Sequence, residues 1–362
     1  MPAPSASALY RRLEPAFHTQ YAELRERSRA AGPLLPGTPG ALVLRSGTGY
    51  PYWYRRYYSV PNREVEDFVC ADGDGEAAPA MRARIDFAAW SQAQVRDLRR
   101  LGLQVADKEV SRLLVELHNA GLFGAGLMLV GTQAFMALLN ELGAVAVAAR
   151  TRDVDLARRQ ALKLALPRPF LQTIEATRLD FFPVRGLSLH ASSTSVKRRG
   201  AEGLRVDVLT PGPRLGAVVA VPELSWHAQA VPHFDYLLSE AREGAVLAGG
   251  HCIPIHLPAP ERFVWHKLYS SRSRLNDAAK ARKDLVQAAT LAAILVEQDD
   301  ASFEDSARDL PAPVLAAARS RLPQLQAHLQ AHPQAREQFE RVLERAPVRR
   351  RLSAPAPPPS RR

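Results

Sequence analysis

The sequence is poor in the features that mark secreted and membrane-spanning proteins. It has only two cysteines, Cys70 and Cys252, far apart and without a cysteine partner at metal-ligand spacing. A reduced, cytoplasmic setting is therefore expected. No apolar run approaches the about 18 residues that a membrane helix needs, and the first residues lack the apolar core of a secretory signal. We expect no membrane segment.

Two common catalytic motifs are also missing. The histidines His227, His233, His251 and His256 occur in one region, but they lack the His-Glu-x-x-His spacing of a zinc helix. No phosphate-binding Gly-x-x-x-x-Gly-Lys-[Ser/Thr] loop is present, so the sequence gives no support to an ordinary ATPase of that type.

Acidic residues are absent from the C-terminal end. Residues 346–362 contain five arginines, five prolines and no acid, a composition typical of a disordered basic tail. The formal net charge of the chain is +11, and because five of these charges lie in the tail, residues 1–345 carry +6. This charge has two interpretations. The chain binds an anionic partner, such as nucleic acid bound through the tail, or it simply has a well-solvated surface.

The chain of 362 residues, 46% of them hydrophobic, is long enough for two domains with sizeable cores. Patterning predicts a mixed α/β (α+β) protein whose mixed sheet has flanking helices. We divide it into an N-terminal helix and aromatic β-hairpin region (1–87), a mixed α/β core (88–258), a helical C-terminal domain (259–345) and the tail (346–362). The aromatic residues 50–58, interleaved with Arg55 and Arg56, would either stack bases or pack a small sheet.

Apolar periodicity locates the main elements. Helices are predicted near 5–30, 88–121, 132–142, 169–178, 262–270 and 277–297, with two more before 346. Strands are predicted near 41–44, 50–58, 65–69, 126–131, 145–147, 151–156, 187–190 and 204–209. The polar, basic segment 192–200 is interpreted as a loop over a ligand or a solvated turn.

Three carboxylates carry the clearest chemical signal. Asp153 and Asp155 lie two apart in an extended stretch, so both side chains point to one face. Asp207 stands alone in an apolar strand, where an unpaired charge is costly. Three such oxygen donors suit Mg²⁺, and a third carboxylate on a neighbouring strand completes a two-metal site. The alternative is ion pairing, of Asp153 with Arg150 or Arg152 and of Asp207 with Arg205.

A strand-to-helix turn precedes these acids. Gly131 and Thr132 follow the apolar run 126–131 and open the next predicted helix. Glycine there allows a close backbone approach, and a helix N-terminus favours phosphate. The Thr132 hydroxyl would cap the helix, contact phosphate, or do both.

In this order, the motifs resemble those of the DNA polymerase β-like nucleotidyltransferase superfamily. More closely, the chain is similar to a bacterial family of nucleotidyltransferase-like proteins, over roughly residues 45–300. Gly131 and Thr132 stand where the family has Gly-Ser. The matching segments are 52–54, 130–134, 151–155, 206–211, 260–268 and 283–288. The resemblance implies a nucleotidyltransferase fold for the core.

The C-terminal segment is also similar to the AbiEii-type toxins of bacterial abortive-infection systems. That resemblance implies that Lys267, Lys280 and Asp284 face the nucleotide. Lys280 and Asp284 are four apart and would share a helix face. A lysine there would neutralise triphosphate charge, whereas the alternative for Lys267 is a solvated helix residue.

The resemblance implies a Mg²⁺-dependent enzyme that moves an NMP from an NTP to a hydroxyl of a protein, an RNA or a small molecule. Asp153, Asp155 and Asp207 would hold two Mg²⁺ ions, and Gly131, Thr132, Lys267, Lys280 and Asp284 would bind the nucleotide. The alternatives are a non-catalytic nucleotide- or nucleic-acid-binding protein on the same fold and a toxin-like transferase of a defence system.

Overall fold

The computed structural model describes residues 7–46, 49–60, 62–148, 151–185, 192–200, 202–274, 276–298 and 301–345. The predicted strand at 187–190 and the predicted tail lie outside the described residues. The strands are β1 (Tyr10–Arg12), β2 (Ala41–Arg45), β3 (Tyr52–Val60), β4 (Arg63–Ala71), β5 (Leu127–Val130), β6 (Ala144–Ala146), β7 (Asp153–Arg158), β8 (Phe181–Pro183), β9 (Ser195–Arg198), β10 (Arg205–Pro211), β11 (Val218–Val221), β12 (Trp226–Val231), β13 (Ala241–Ala248) and β14 (His251–Pro258). The helices are α1 (Pro15–Ala30), α2 (Ala77–Arg100), α3 (Lys108–Asn119), α4 (Gly131–Glu141), α5 (Phe170–Glu175), α6 (Phe234–Leu237), α7 (Pro260–Ser273), α8 (Ala278–Glu297), α9 (Ser302–Ser306), α10 (Ala312–His328) and α11 (Pro333–Arg345).

The N-terminal part contains a small antiparallel sheet, β2-β3-β4, against which α2 packs. The strand predictions here are confirmed, and the helical patterning of 88–121 belongs to two helices rather than one. α2 ends at Arg100, Gly102 takes a φ of +102° that ends the helical path, and Asp107 caps a new helix by accepting hydrogen bonds from Glu109 N and Val110 N. The predicted helix near 5–30 begins only at Pro15, because Tyr10–Arg12 pairs with β6 instead.

A mixed sheet of seven strands forms the centre of the described molecule. Its main order is β11-β12-β10-β7-β5, and β9 and β8 extend it from β10. β10 runs parallel to both β7 and β12, whereas β5 runs antiparallel to β7. The loop interpretation of 192–200 is wrong at 195–198, since β9 pairs antiparallel with β10 and places Lys197 opposite Arg205. The sheet confirms the mixed α/β class.

A β-hairpin that the sequence analysis missed, β13–β14, packs against α1, α3 and α4. Gly249 and Gly250 connect its strands, with φ of +55° and +107°. Two successive positive φ angles are what a tight two-residue hairpin turn requires, and glycine adopts them without strain.

The C-terminal part is helical, as predicted. α7 and α8 lie against each other, and α10 and α11 pack on them. Trp265 of α7 is fully buried and stacks on Phe303 with ring centroids 5.1 Å apart. The division into domains stays a prediction, and its boundary after residue 87 falls within α2. Within the described part of the chain, none of the helices combines the length and hydropathy needed to cross a bilayer.

Candidate active site

The three predicted acids lie on two neighbouring parallel strands. Asp155 of β7 is level with Asp207 of β10, and Asp153 is level with Arg205. Paired residues of parallel strands point to the same side, so all four side chains share one face of the sheet. Val154 and Val206 between them point to the other face and are fully buried. The alternation of valine and aspartate thus fixes both the core face and the face that carries the acids.

The turn between β5 and α4 fits closely around Asp155. Gly131 has a φ of +69°, and a methyl group at its Cα would overlap Asp155 Oδ2. Glycine is therefore required at position 131 for two reasons: the backbone has a positive φ, and the Asp155 carboxylate leaves no room for a Cβ. Thr132, in the first turn of α4, is 5% exposed. The structure thus brings two of the predicted site residues, Gly131 and Asp155, together.

Replacing Gly131 with alanine is expected to lower the free energy of unfolding by about 2 kcal/mol or more, since positive φ alone costs about 1–2 kcal/mol for a residue with a Cβ. The clash also displaces Asp155. Urea denaturation measures the loss, and Gly124→Ala is the matched control, because its Cβ meets only Gly121 O at 3.7 Å. Equal stability of the two variants would contradict the close approach.

Asp207 has a partner in its own strand. Arg205 Nε donates to both of its carboxylate oxygens, at 3.0 and 3.1 Å, and Arg205 Nη2 donates to Ser195 Oγ at 3.1 Å. The ion-pair alternative for Asp207 is therefore what the side chains show. Arg205 also holds β9 and β10 together at this point, because Ser195 belongs to β9.

The site makes its carboxylates harder to ionise. The pKa of Asp155 is raised to about 6, mainly by burial and then by the negative charges of Asp207 and Asp153, whereas Lys267 and Arg274 act to lower it. Burial also raises the pKa of Asp207, although Arg205 acts in the opposite direction. Carboxylates that repel one another across adjacent strands create a place where a cation is favoured.

The donor set suits a divalent cation, but the side chains are not preassembled around one. Three carboxylates on one sheet face offer the oxygen ligands that Mg²⁺ prefers. Within the described residues, no group of three or more His, Cys, Asp or Glu side chains is already arranged to hold a metal ion. Both carboxylate oxygens of Asp207 accept hydrogen bonds from Arg205. The residues fit a cation once Arg205 releases that carboxylate.

A second charged cluster lies between α7 and α8. Lys267 Nζ donates to Asp284 Oδ1 at 2.7 Å, and Arg274 Nε lies 2.8 Å from Asp284 Oδ2. Lys267 is 5% exposed and Asp284 1% exposed. The structure thus joins Lys267 and Asp284 in a buried ion pair. Lys280 is placed differently: it is exposed, and its Nζ lies 3.6 Å from Asp277.

Two cations of this cluster were missed by sequence reasoning. Arg274 follows the last residue of α7, where no periodicity marks it. Lys283 precedes Asp284, is half-buried, and interacts electrostatically with Asp153 as well as Asp284. Burial and the charges of Lys267 and Arg274 lower the pKa of Lys283. Lys283 was part of a matching segment, and its position next to the buried acid was the signal available.

A cleft of about 1210 Å³ opens onto Asp153. Asp153 and Lys283 line it from the sheet and α8, and Gln133 lines it from α4. The site therefore combines carboxylates, a helix N-terminus and buried cations at one edge of a mixed sheet, next to a space large enough for a substrate. This is the arrangement of an enzyme that handles phosphates.

The comparisons agree with that class. A family profile described as "Nucleotidyltransferase" matches residues 108–311, more than half of the chain. The chain belongs to this nucleotidyltransferase family. Membership makes it an enzyme of nucleotidyl transfer, with an NTP as substrate.

Two solved structures are similar to the chain at a low level. One is described as the solution structure of the antibiotic-resistance factor ANT(2'')-Ia, with 18% identity, 62% of this chain and 96% of that chain covered, and a TM-score of 0.30. The other is an antigenic nucleotidyltransferase-like protein from Paracoccidioides brasiliensis, with 16% identity, 65% and 91% covered, and a TM-score of 0.31. A search of curated proteins found no match.

Proposed function

We propose that the chain is a Mg²⁺-dependent nucleotidyltransferase that moves an NMP from an NTP to a hydroxyl acceptor, with Asp153, Asp155 and Asp207 at its reacting centre. The register that sets Asp155 beside Asp207 on one sheet face carries this proposal. Three acids that repel one another serve no packing purpose, and the raised pKa of Asp155 reflects a cost that folding alone would not select.

The phosphates are proposed to lie between two sets of groups. The N-terminus of α4 at Gly131 and Thr132 presents backbone N–H groups and the positive end of the helix dipole. On the other side, Lys267, Arg274 and Lys283 supply positive charge that a single buried Asp284 does not balance. Both sets stabilise the negative charge that develops on the transferring phosphoryl group.

Mg²⁺ bound by Asp153, Asp155 and Asp207 would neutralise phosphate charge and lower the pKa of the acceptor hydroxyl. The acceptor oxygen forms a bond to the α-phosphorus, the bond from that phosphorus to the β-phosphate oxygen breaks, and pyrophosphate leaves. The proton of the acceptor hydroxyl passes to a basic group at the site, for which we propose the Asp207 carboxylate. Arg205 orients that carboxylate along β10 until the substrates bind.

Transfer of label from α-³²P-NTPs, with Mg²⁺ and with total RNA or lysate protein as acceptor, tests this proposal. We expect Asp153→Ala and Asp207→Ala each to lower transfer by about 10²-fold or more, because charge stabilisation of the transition state is lost. Asp86→Ala, at an exposed position of α2, should transfer at the wild-type rate. Binding of NTP without transfer by the wild type would contradict catalysis and leave a nucleotide-binding protein.

A further inference from the structure

Part of the cleft lining comes from α2, which lies outside the family match at 108–311. Gln92, Arg96 and Arg99 line the cleft, and their spacing of four and three residues puts them on one helix face. Arg96 is 64% exposed with only a distant ion pair, 3.7 Å to Asp97. Arg99 is exposed, with no ion-pair partner within 4.0 Å among the described residues. These arginines are available to a ligand.

The cleft as a whole is basic. Two of its acids have partners, since Asp107 caps α3 and the Glu202 carboxylate lies 3.9 Å from Arg152, which also donates to the Glu202 backbone carbonyl. Seven cationic residues line it against three acidic ones. The cationic residues are Arg96, Arg99, Lys108, Arg152, Lys197, Arg205 and Lys283, and the acidic ones are Asp107, Asp153 and Glu202.

A second cavity, of about 380 Å³, adjoins the cleft at the end of the β3–β4 hairpin. Gln92, Lys108 and Gly249 line both cavities, so the two spaces meet at these residues. Tyr58 lines the second one and is 48% exposed. An aromatic ring on the surface at the end of a basic channel is what an unpaired base stacks on.

The size of the cleft argues for more than one small molecule. Ligand pockets for small molecules span about 300–1,000 Å³, whereas the cleft alone has about 1210 Å³. A nucleotide at the acids leaves the α2 side free. What fills that side must be anionic, because its lining is cationic, and extended, because the channel runs from Asp153 to Tyr58.

We propose that the acceptor is a single-stranded nucleic acid. Arg96, Arg99 and Lys108 hold its phosphates, Tyr58 stacks on one of its bases, and its terminal hydroxyl lies at Asp153. The role of this nucleic acid as acceptor rests on the proposed function, whereas its binding to the cleft does not. Because the arginines contact phosphates rather than base edges, binding is independent of sequence.

Fluorescence anisotropy with the full chain and a labelled RNA of about 15 nucleotides tests the binding, in EDTA and without NTP. We expect Arg96→Gln/Arg99→Gln to weaken binding about 10-fold or more. The magnitude of the slope of log affinity against log salt concentration should decrease by about 1.4, because two phosphate contacts of about 0.7 each are lost. Arg82→Gln/Arg100→Gln is the matched control: it removes the same charge from the same helix, but neither residue lines the cleft, so its slope should stay near wild type.

Tyr58→Ala should weaken binding about 5- to 100-fold, and Tyr58→Phe should restore it, because a ring stacks with or without its hydroxyl. Equal losses in the two arginine double variants, or no RNA binding by the wild type, would overturn the proposal. Equally strong competition against the labelled RNA by an acidic peptide of similar length would also overturn the proposal, because it would indicate a protein acceptor. If the protein still transferred label from NTPs in any of these cases, the proposed function would hold while the nucleic-acid acceptor would be rejected.

Discussion

Replacing Asp155 with asparagine is expected to abolish nucleotidyl transfer and, in metal-free buffer above about pH 6, to stabilise the protein. Asparagine keeps the shape that fits against Gly131 but cannot ionise. The variant loses the central ligand of the proposed cation site, so transfer should fall by about 10³-fold. It also loses a buried charge that Asp207 and Asp153 repel.

The stability gain should depend on pH in a defined direction. The pKa of Asp155 is raised from 3.8 to about 6 in the folded protein. The contribution of the protonated Asp155 carboxyl to the free energy of unfolding is therefore complete below about pH 4 and is lost as the pH rises through about 6. Asparagine avoids this loss, so the variant should exceed wild type by about 1–3 kcal/mol near pH 8 and by much less near pH 4.

Urea denaturation at the two pH values, in EDTA, measures the difference. The exposed Asp86→Asn serves as control and should stay within about 0.5 kcal/mol of wild type at both. A variant no more stable than wild type near pH 8 would show that Asp155 carries no electrostatic cost. Added Mg²⁺ should raise the melting temperature of wild type but not of Asp155→Asn, because ligand binding to the folded state stabilises it.

The acids of the site were predictable because they interrupt apolar strands. Asp155 lies between the buried Val154 and Leu156, and Asp207 lies between the buried Val206 and Val208. An aspartate in such a strand is costly unless it has a function, and period-two patterning gives its face. The register between the two strands was not predictable, since it depends on how β9, β10 and β7 assemble. Sequence thus named the residues, and tertiary pairing made Asp155 and Asp207 neighbours.

Helical spacing does not describe the surroundings of Asp284. Lys280 and Asp284 are four apart, which predicts a shared face, but Asp284 turns inward to α7 while Lys280 stays exposed in the first turn of α8, near the capping residue Asp277. The partners of Asp284 instead come from α7 and its C-terminal end, Lys267 and Arg274. A contact between helices carries no local periodic signal, and only the packing of α7 on α8 reveals it.

The Gly-Gly turn shows a signal that was present but not used. Gly249 and Gly250 separate two apolar stretches, the pattern of a tight hairpin. Recognising it would have predicted β13–β14 and placed Gly249 beside α3, where it lines the cleft.

Removing one member of the buried pair should be far more damaging than removing both. Lys267→Met leaves Asp284, 1% exposed, with Arg274 as its remaining cationic partner. We expect a loss of about 3–5 kcal/mol in the free energy of unfolding, because a buried charge loses its compensation. Lys267→Met/Asp284→Leu should recover most of that loss, since well-packed apolar residues replace a buried pair at little cost. Denaturant unfolding of the three proteins measures both effects.

The double variant also separates the two roles of Lys267. If the lysine served only to neutralise Asp284, restored folding would restore the KM for NTP. We expect instead that KM stays raised by about 10-fold or more, because the positive charge of Lys267 also acts on Asp155 and, we propose, on the phosphates. Lys280→Met is the matched control, an exposed lysine on α8 whose loss should change stability by less than about 1 kcal/mol. A wild-type KM in the double variant would restrict Lys267 to holding α7 and α8 together. A raised KM in Lys280→Met would support the nucleotide contact that the resemblance implies for Lys280.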